Sequence, residues 1–257
     1  MRVLVFQHVP VEHPGVFRDL WLEKGDQWLA VELDAGEAIP DFQDFDLLMV
    51  MGGPMDVWQE DIYHWLAPEK AAIRHWVKDL ERPFVGVCLG HQLLAASIGG
   101  SVGPMTQPEI GFAEVELTGA GRQDPLFAGF TQRMETFQWH GSEVSKLPDG
   151  AEVLAANSAC PIQALRWGRH AYGLQYHVEI TISTVADWNG IPEYRAGLER
   201  TLGVGAALQL GEAVSRRLPL LQASTRRVND NVAKIVAGAR QARQIPPLSQ
   251  RQSRLLA

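Results

Sequence analysis

Cys88 lies in Gly86-Val87-Cys88-Leu89-Gly90-His91-Gln92, with a glycine two residues to either side. The apolar run Pro83-Phe84-Val85-Gly86-Val87 before it reads as a buried strand, and Gln92 to Ile98 reads as the next helix, starting soon after Gly90. This is the cysteine version of a nucleophile elbow, a strand-to-helix turn so tight that it projects its side chain into a cleft. The glycines fit because a Cβ beside such a turn would crowd neighbouring backbone. A helix N-terminus beneath the sulfur favours the thiolate, the reactive form of a thiol whose ordinary pKa is about 8.5. Cys160, the other cysteine, has no comparable setting and is expected to be inert.

A thiol nucleophile needs a base, and the base needs something to orient it. Tyr172-Gly173-Leu174-Gln175-Tyr176-His177-Val178-Glu179 leads out of a strand, and residues two apart point the same way. His177 and Glu179 can therefore sit side by side, the carboxylate on one ring nitrogen and the other nitrogen facing Cys88. Acyl chemistry also needs N–H donors for an oxyanion. The backbone N–H of Leu89 is one, and the glycine loop Gly52-Gly53-Pro54 stands where the second is expected. The remaining histidines, His8, His13, His64, His75, His91, His140 and His170, show no metal-ligand spacing, so no metal and no cofactor is expected. His91 reads as a local cap, and His140, in Trp139-His140-Gly141-Ser142, which resembles the substrate loop of a known enzyme family, as structural.

Positioning these groups requires an α/β sheet. Val3 to Gln7, Trp28 to Leu33, Asp46 to Met51 and Pro83 to Val87 are strand candidates, and helices are expected over Val16–Lys24 and Leu66–Asp79. Such alternation predicts a central, mostly parallel sheet with helices on both faces. From Gly111 to Val178 the texture shifts to shorter strands, at Ala113–Leu117, Glu135–Trp139, Glu152–Ala156, Gln163–Trp167 and Ala171–Tyr176. These read as antiparallel additions to the same core. From about Pro192 to Ile245 the chain reads as helical, and its last ten residues as loose.

The 257 residues are 46% hydrophobic and 21% charged, which excludes a wholly disordered chain. No run is long and apolar enough for a membrane span, no signal peptide is evident, and two cysteines cannot organise a disulfide framework, so a cytoplasmic enzyme is expected. The net charge of −7 is unevenly spread. From Ala213 onward nine lysines and arginines face a single acid, Asp230, leaving 14 basic and 29 acidic residues before it. The tail lacks aromatic interleaving and dense basic blocks, so neither nucleic acid nor membrane is an expected partner. Its periodic apolar residues instead predict helices that dock on the body or pair two protomers as a homodimer, with the arginines outward or on acids of the body.

Four segments in order resemble the class I (triad) glutamine amidotransferases: Met51-Gly52-Gly53-Pro54, the Cys88 heptapeptide, Trp139-His140-Gly141-Ser142, and Gly173 to Glu179. The resemblance covers roughly the first 190 residues and is nearest to stand-alone, GMP-synthase-like members. Gln7-His8-Val9-Pro10 and Glu109-Ile110-Gly111 point the same way. It implies a flavodoxin-like α/β fold over residues 1–190, with 191–257 a basic helical extension. It also implies a Cys88–His177–Glu179 triad and an oxyanion hole from Gly53 and Leu89. Gly52, Gln92, Trp139, Gly141 and Ser142 are the residues that would hold glutamine.

Val178 stands where the family usually has proline, and Ser142 where an acid often follows His-Gly. There is no Ser-Gly-Gly-x-Asp nucleotide loop, so a complete GMP synthase is not expected, whereas a separate synthetase subunit is a natural partner. The activity implied is release of ammonia from the glutamine side chain through a Cys thioester. Two alternatives stand beside it: a γ-glutamyl peptide hydrolase or transferase using the same triad, and a non-enzymatic module acting through its tail.

Overall fold

In the computed structural model, which describes residues 1–244, one nine-stranded sheet carries the whole architecture, in the order β2-β1-β3-β4-β9-β8-β7-β5-β6. Strands β1 (Arg2–Gln7), β2 (Gln27–Glu32), β3 (Leu47–Val50), β4 (Phe84–Val87) and β9 (Ala171–Leu174) run parallel. Beyond β9 the sheet turns antiparallel through β8 (Ala164–Trp167), β7 (Ala151–Ala156), β5 (Ser101–Leu117) and β6 (Arg133–Lys146). The central strands are apolar along their whole length because helices cover both faces.

Alternation sorts their side chains into two cores. Val3, Val5, Leu47 and Met49 face helix α1 (Val16–Lys24), through Phe17 and Trp21, and the far half of α6 (Ala206–Gln244), through Val228, Val232 and Val236. Leu4, Phe6, Leu48 and Val50 face α2 (Leu66–Arg74) and α3 (Leu89–Ser97). Burying each such side chain stabilises the fold by roughly 1.5–3 kcal/mol. A third cluster packs Phe137 and Trp139 of β6 under α4 (Thr184–Asn189), α5 (Pro192–Leu202) and the near half of α6. Helix α6 thus spans two cores, and the Trp21 indole N–H donates to Asn229 Oδ1 at 3.1 Å.

The basic helix is matched to acids of the body. Arg226 grips Glu23 through two bonds of 2.7 and 3.1 Å, Arg217 meets Glu135 at 2.8 Å, and Arg240 meets Asp46 at 2.7 Å. No helix among the described residues is long and apolar enough to cross a membrane. The last ten residues, which the sequence suggests are loose, lie outside the described region.

Four boundaries differ from the expectations. Helix α3 begins at Leu89, not Gln92, and contains Gly90, whose Cβ would lie 2.1 Å from the Val50 carbonyl oxygen. That glycine permits close approach to β3 and does not break the helix. The helix expected over Leu66–Asp79 runs as α to Arg74 and finishes as a π-helical turn over His75–Asp79. Strand β5 starts twelve residues before the expected Ala113, because Pro104 and Pro108 hide a ribbon whose register shifts between Pro104 and Glu109. Its partner β6 runs on through Gly141-Ser142, so His140 lies in a strand and not in a loop.

Candidate active site

Parallel strands β3, β4 and β9 end on the same side of the sheet, and the side chains singled out by sequence gather there. Cys88 forms the turn from β4 into α3 with φ 51° and ψ −105°, a left-handed value that strains any residue with a Cβ. The turn is over-determined. Cys88 N–H donates to Leu174 O at 2.8 Å, Gly90 N–H to Met51 O at 3.1 Å, and Gln92 N–H back to Cys88 O at 3.2 Å. A Cβ on Gly86 would lie 2.3 Å from the Gly90 carbonyl oxygen, so both flanking glycines are steric necessities. The sulfur is buried, 3.9 Å from the Trp139 carbonyl oxygen. By contrast, burial pushes the Cys160 thiol up to about 12, which keeps it protonated and unreactive.

His177 and Glu179 lie past the end of β9, where the chain turns. His177 N–H donates to Phe137 O at 2.8 Å, fixing the residue against β6. The ring Nδ1 donates to Glu179 Oε1 at 2.7 Å, and Glu179 Oε2 accepts the Val178 N–H at 2.8 Å. Both carboxylate oxygens are thus committed, and the Trp188 ring stands edge-on to the imidazole at 4.5 Å. Burial alone would lower the His177 pKa. The Glu179 charge and neighbouring Cys88 outweigh it, raising the ring well above the usual imidazole value and favouring the imidazolium. Nε2 has no hydrogen-bond partner among the described residues and is free to exchange protons with sulfur or substrate.

The glycine loop follows β3. The Gly53 N–H has no protein acceptor among the described residues, and the Leu89 N–H belongs to the first turn of α3, where helix donors are unpaired. Gly53 abuts the elbow, since a Cβ there would lie 2.9 Å from Leu89 Cδ2. Gln92 and Ser142 meet each other: Gln92 Nε2 donates to Ser142 O at 2.9 Å and to Gln175 Oε1 at 3.1 Å, while the Ser142 hydroxyl donates to Asp56 Oδ1 at 2.7 Å. Trp139 lines the wall beside the sulfur, against Trp188 and Tyr194, whereas Gly141 is exposed over Pro108.

Sequence reasoning missed Glu12 and Tyr194. Glu12 follows β1 in a loop, is buried, and accepts a hydrogen bond from the Tyr194 hydroxyl of α5. Its second oxygen is unpartnered and lies against Gly52. Burial, helped by the Glu179 charge, pushes its carboxyl up to about 7, against the opposing pull of His177, Tyr194 and His8. Glu12, His177 and Glu179 bring three potential ligand atoms within 4.8 Å of one another, a grouping that no sequence spacing announces. Nothing local marks Glu12 or Tyr194; they meet across 182 positions.

Residues 28–187 match the family described as glutamine amidotransferase class-I, and the chain belongs to that family. Among its relatives, the glutamine amidotransferase-like protein YfeJ of Salmonella typhimurium is 32% identical over 188 residues, covering 72% of this chain and 78% of the relative. One subunit of the glutamine-hydrolyzing GMP synthase of Sulfolobus acidocaldarius is 30% identical over 152 residues, 59% of this chain and 76% of the relative. The GMP synthase of Thermomicrobium roseum is matched over only 23% of its length, at 36% identity over 52% of this chain. A glutamine amidotransferase from Thermotoga maritima superposes with a TM-score of 0.80 at 29% identity, covering 92% of this chain and 98% of the other.

Proposed function

We propose that this chain hydrolyses the side-chain amide of glutamine through a thioester on Cys88, with His177 as proton carrier and Glu179 as its orienter. The observation that carries this reading is the Cys88 elbow beside an imidazole whose Nδ1 is committed to Glu179 and whose Nε2 is not. The thiolate attacks the amide carbon, and the carbonyl oxygen takes up negative charge against the N–H groups of Gly53 and Leu89. Collapse breaks the C–N bond while His177 gives its proton to the departing nitrogen, which leaves as ammonia. Water then attacks the thioester carbon with His177 as base, releasing glutamate and the thiol.

Residues 1–190 form the catalytic unit in this reading. Residues 191–257 are the extension in this reading, and Tyr194 within it packs on Trp188. The relative that is one subunit of a GMP synthase supports delivery of the ammonia to a separate synthetase.

The test is ammonia and glutamate release by the purified chain across a panel of glutamine, γ-glutamyl dipeptides and a γ-glutamyl anilide. Mass spectrometry of the quenched protein should show a glutamyl adduct on Cys88 and none on Cys160. Turnover of γ-glutamyl dipeptides far above that of glutamine would move the reading to a γ-glutamyl hydrolase. No adduct with any member of the panel would end it.

A further inference from the structure

His8, at the end of β1, is wholly buried and takes no part in the chemistry above. Its ring lies flat against Trp65, with centroids 5.2 Å apart and planes 15° from parallel. Nε2 is 2.9 Å from Glu69 Oε1, and Nδ1 is 2.7 Å from the Gly52 carbonyl oxygen. Glu69, on α2, is also wholly buried. A carbonyl oxygen can only accept, so Nδ1 must carry a proton. Burial alone would lower the His8 pKa, but the Glu69 charge, the bond to Glu69 and the bond to Gly52 outweigh it and hold the ring above its usual value.

A buried His–Glu pair is a weak stabilising device, since apolar residues of similar volume pack as well without desolvating charge. What this pair does is grip one peptide group. The Gly52 carbonyl and the Gly53 N–H belong to the same planar trans peptide and point in opposite directions. Fixing the carbonyl toward His8 therefore fixes the Gly53 N–H away from it. Two successive glycines would otherwise let that peptide rotate with little steric resistance. A rotation that turned the carbonyl toward the sulfur would set a negative dipole where negative charge must develop.

We propose that His8 and Glu69 are positioning residues that hold the Gly53 N–H in its oxyanion-donating orientation. This rests on the reading of Gly53 as an oxyanion donor given above. The pair acts on the transition state and not on substrate binding, so it governs kcat with little effect on KM. Losing one oxyanion donor typically costs about 100- to 1,000-fold in kcat, and a donor freed to rotate should approach the lower figure.

The test compares His8→Leu, His8→Asn and Glu69→Gln with the wild-type chain. An asparagine amide nitrogen reaches the place of Nδ1 and can donate to Gly52, whereas leucine cannot. Hydrolysis of glutamine and of a γ-glutamyl anilide gives kcat and KM. Alkylation of Cys88 by iodoacetamide reports the thiolate without forming an oxyanion.

His8→Leu should lower kcat about 100-fold, leave KM within about threefold and leave alkylation within about twofold. His8→Asn should recover most of the loss, and Glu69→Gln should sit between. An unchanged kcat in His8→Leu, a parallel fall in alkylation, or no rescue by asparagine overturns the proposal. A wild-type chain inert toward both substrates sinks the proposed function instead. The pair is then judged by nitrogen NMR: a protonated His8 Nδ1 and a Gly53 amide resonance that shifts in His8→Leu and returns in His8→Asn support it. An unprotonated Nδ1 in the wild-type chain refutes it.

Discussion

Two buried histidine–glutamate pairs flank Cys88, and they are wired in opposite ways. In His177–Glu179 the carboxylate holds Nδ1 and leaves Nε2 uncommitted; in His8–Glu69 the carboxylate holds Nε2, and Nδ1 is taken up by the Gly52 carbonyl. The ring chemistry is the same, and each pair is almost wholly shielded from water. The difference lies in whether a nitrogen remains free. A histidine with one free nitrogen can move protons, and a histidine with none can only hold its neighbours. Identity of residue type therefore says less about role than the accounting of each ring nitrogen.

The comparison breaks most readily at the open pair. His177→Ala should lower glutamine hydrolysis about 10,000-fold, because the thiol loses its proton acceptor and the leaving nitrogen its donor. A variant retaining a tenth of the wild-type rate would show that the open nitrogen is not the proton carrier. Glu179→Gln should cost less, since the ring stays in place but is poorly oriented and its cation less stabilised. The acidic limb of the rate–pH profile should also move, because the Glu179 charge, together with Cys88, raises the His177 pKa against burial. Glu69→Gln should leave that limb where it is. If the two glutamine variants shift the profile alike, the distinction between the pairs collapses.

Glu12 lies between the pairs and is influenced by both histidines. Its folded pKa of about 7 lies above the ordinary 4.5, so between these values the folded chain keeps a proton that the unfolded chain has released. Stability must then fall as pH rises from 4.5 through 7, by about 3 kcal/mol in all. Glu12→Gln lacks this slope and should gain on the wild type by that amount over the same window, as read from urea melts. Parallel stability curves would refute the burial argument.

Smaller again is the effect expected where the helical extension meets α1. Val228→Ala, in the core shared with Val3 and Trp21, should destabilise the fold by roughly 1–2 kcal/mol. Arg226→Ala, at a solvent-exposed ion pair with Glu23, should leave the melting temperature almost unmoved. A larger loss at Arg226 than at Val228 would mean that charge, and not packing, docks the helix.

What was legible in the sequence follows from how local each signal is. The Cys88 elbow and the His177-x-Glu179 spacing each fit within a few residues, so composition and periodicity expose them. The parallel core was legible because a strand covered on both faces must be apolar throughout, as Leu47 to Val50 are. Gly90 misled because a glycine needed for close packing looks the same as one that ends an element, and Gly141 because a glycine that merely continues an exposed strand looks like a turn. Prolines concealed the first half of β5, whose alternation is broken by the register shift beside Pro104. Glu12, Tyr194 and Glu69 carried no local mark, because each is an ordinary residue in its own segment and acquires a partner only when distant elements meet; His8 stood out as part of Gln7-His8-Val9-Pro10, but its partner did not.

The Trp21–Asn229 hydrogen bond joins positions 208 residues apart, and Val228, Val232 and Val236 close the same core that Val3 and Val5 open. Contacts of that separation must wait for the intervening chain to be made and to find its place. During synthesis, at about 5–20 residues per second, β1 and α1 would leave the ribosome roughly ten seconds or more before the valines that cover them. For that interval Phe17 and Trp21 have no helix to shelter them. The time spent waiting for α6, rather than the chemistry of the elbow, is then the stage at which this chain most needs a chaperone's protection from aggregation.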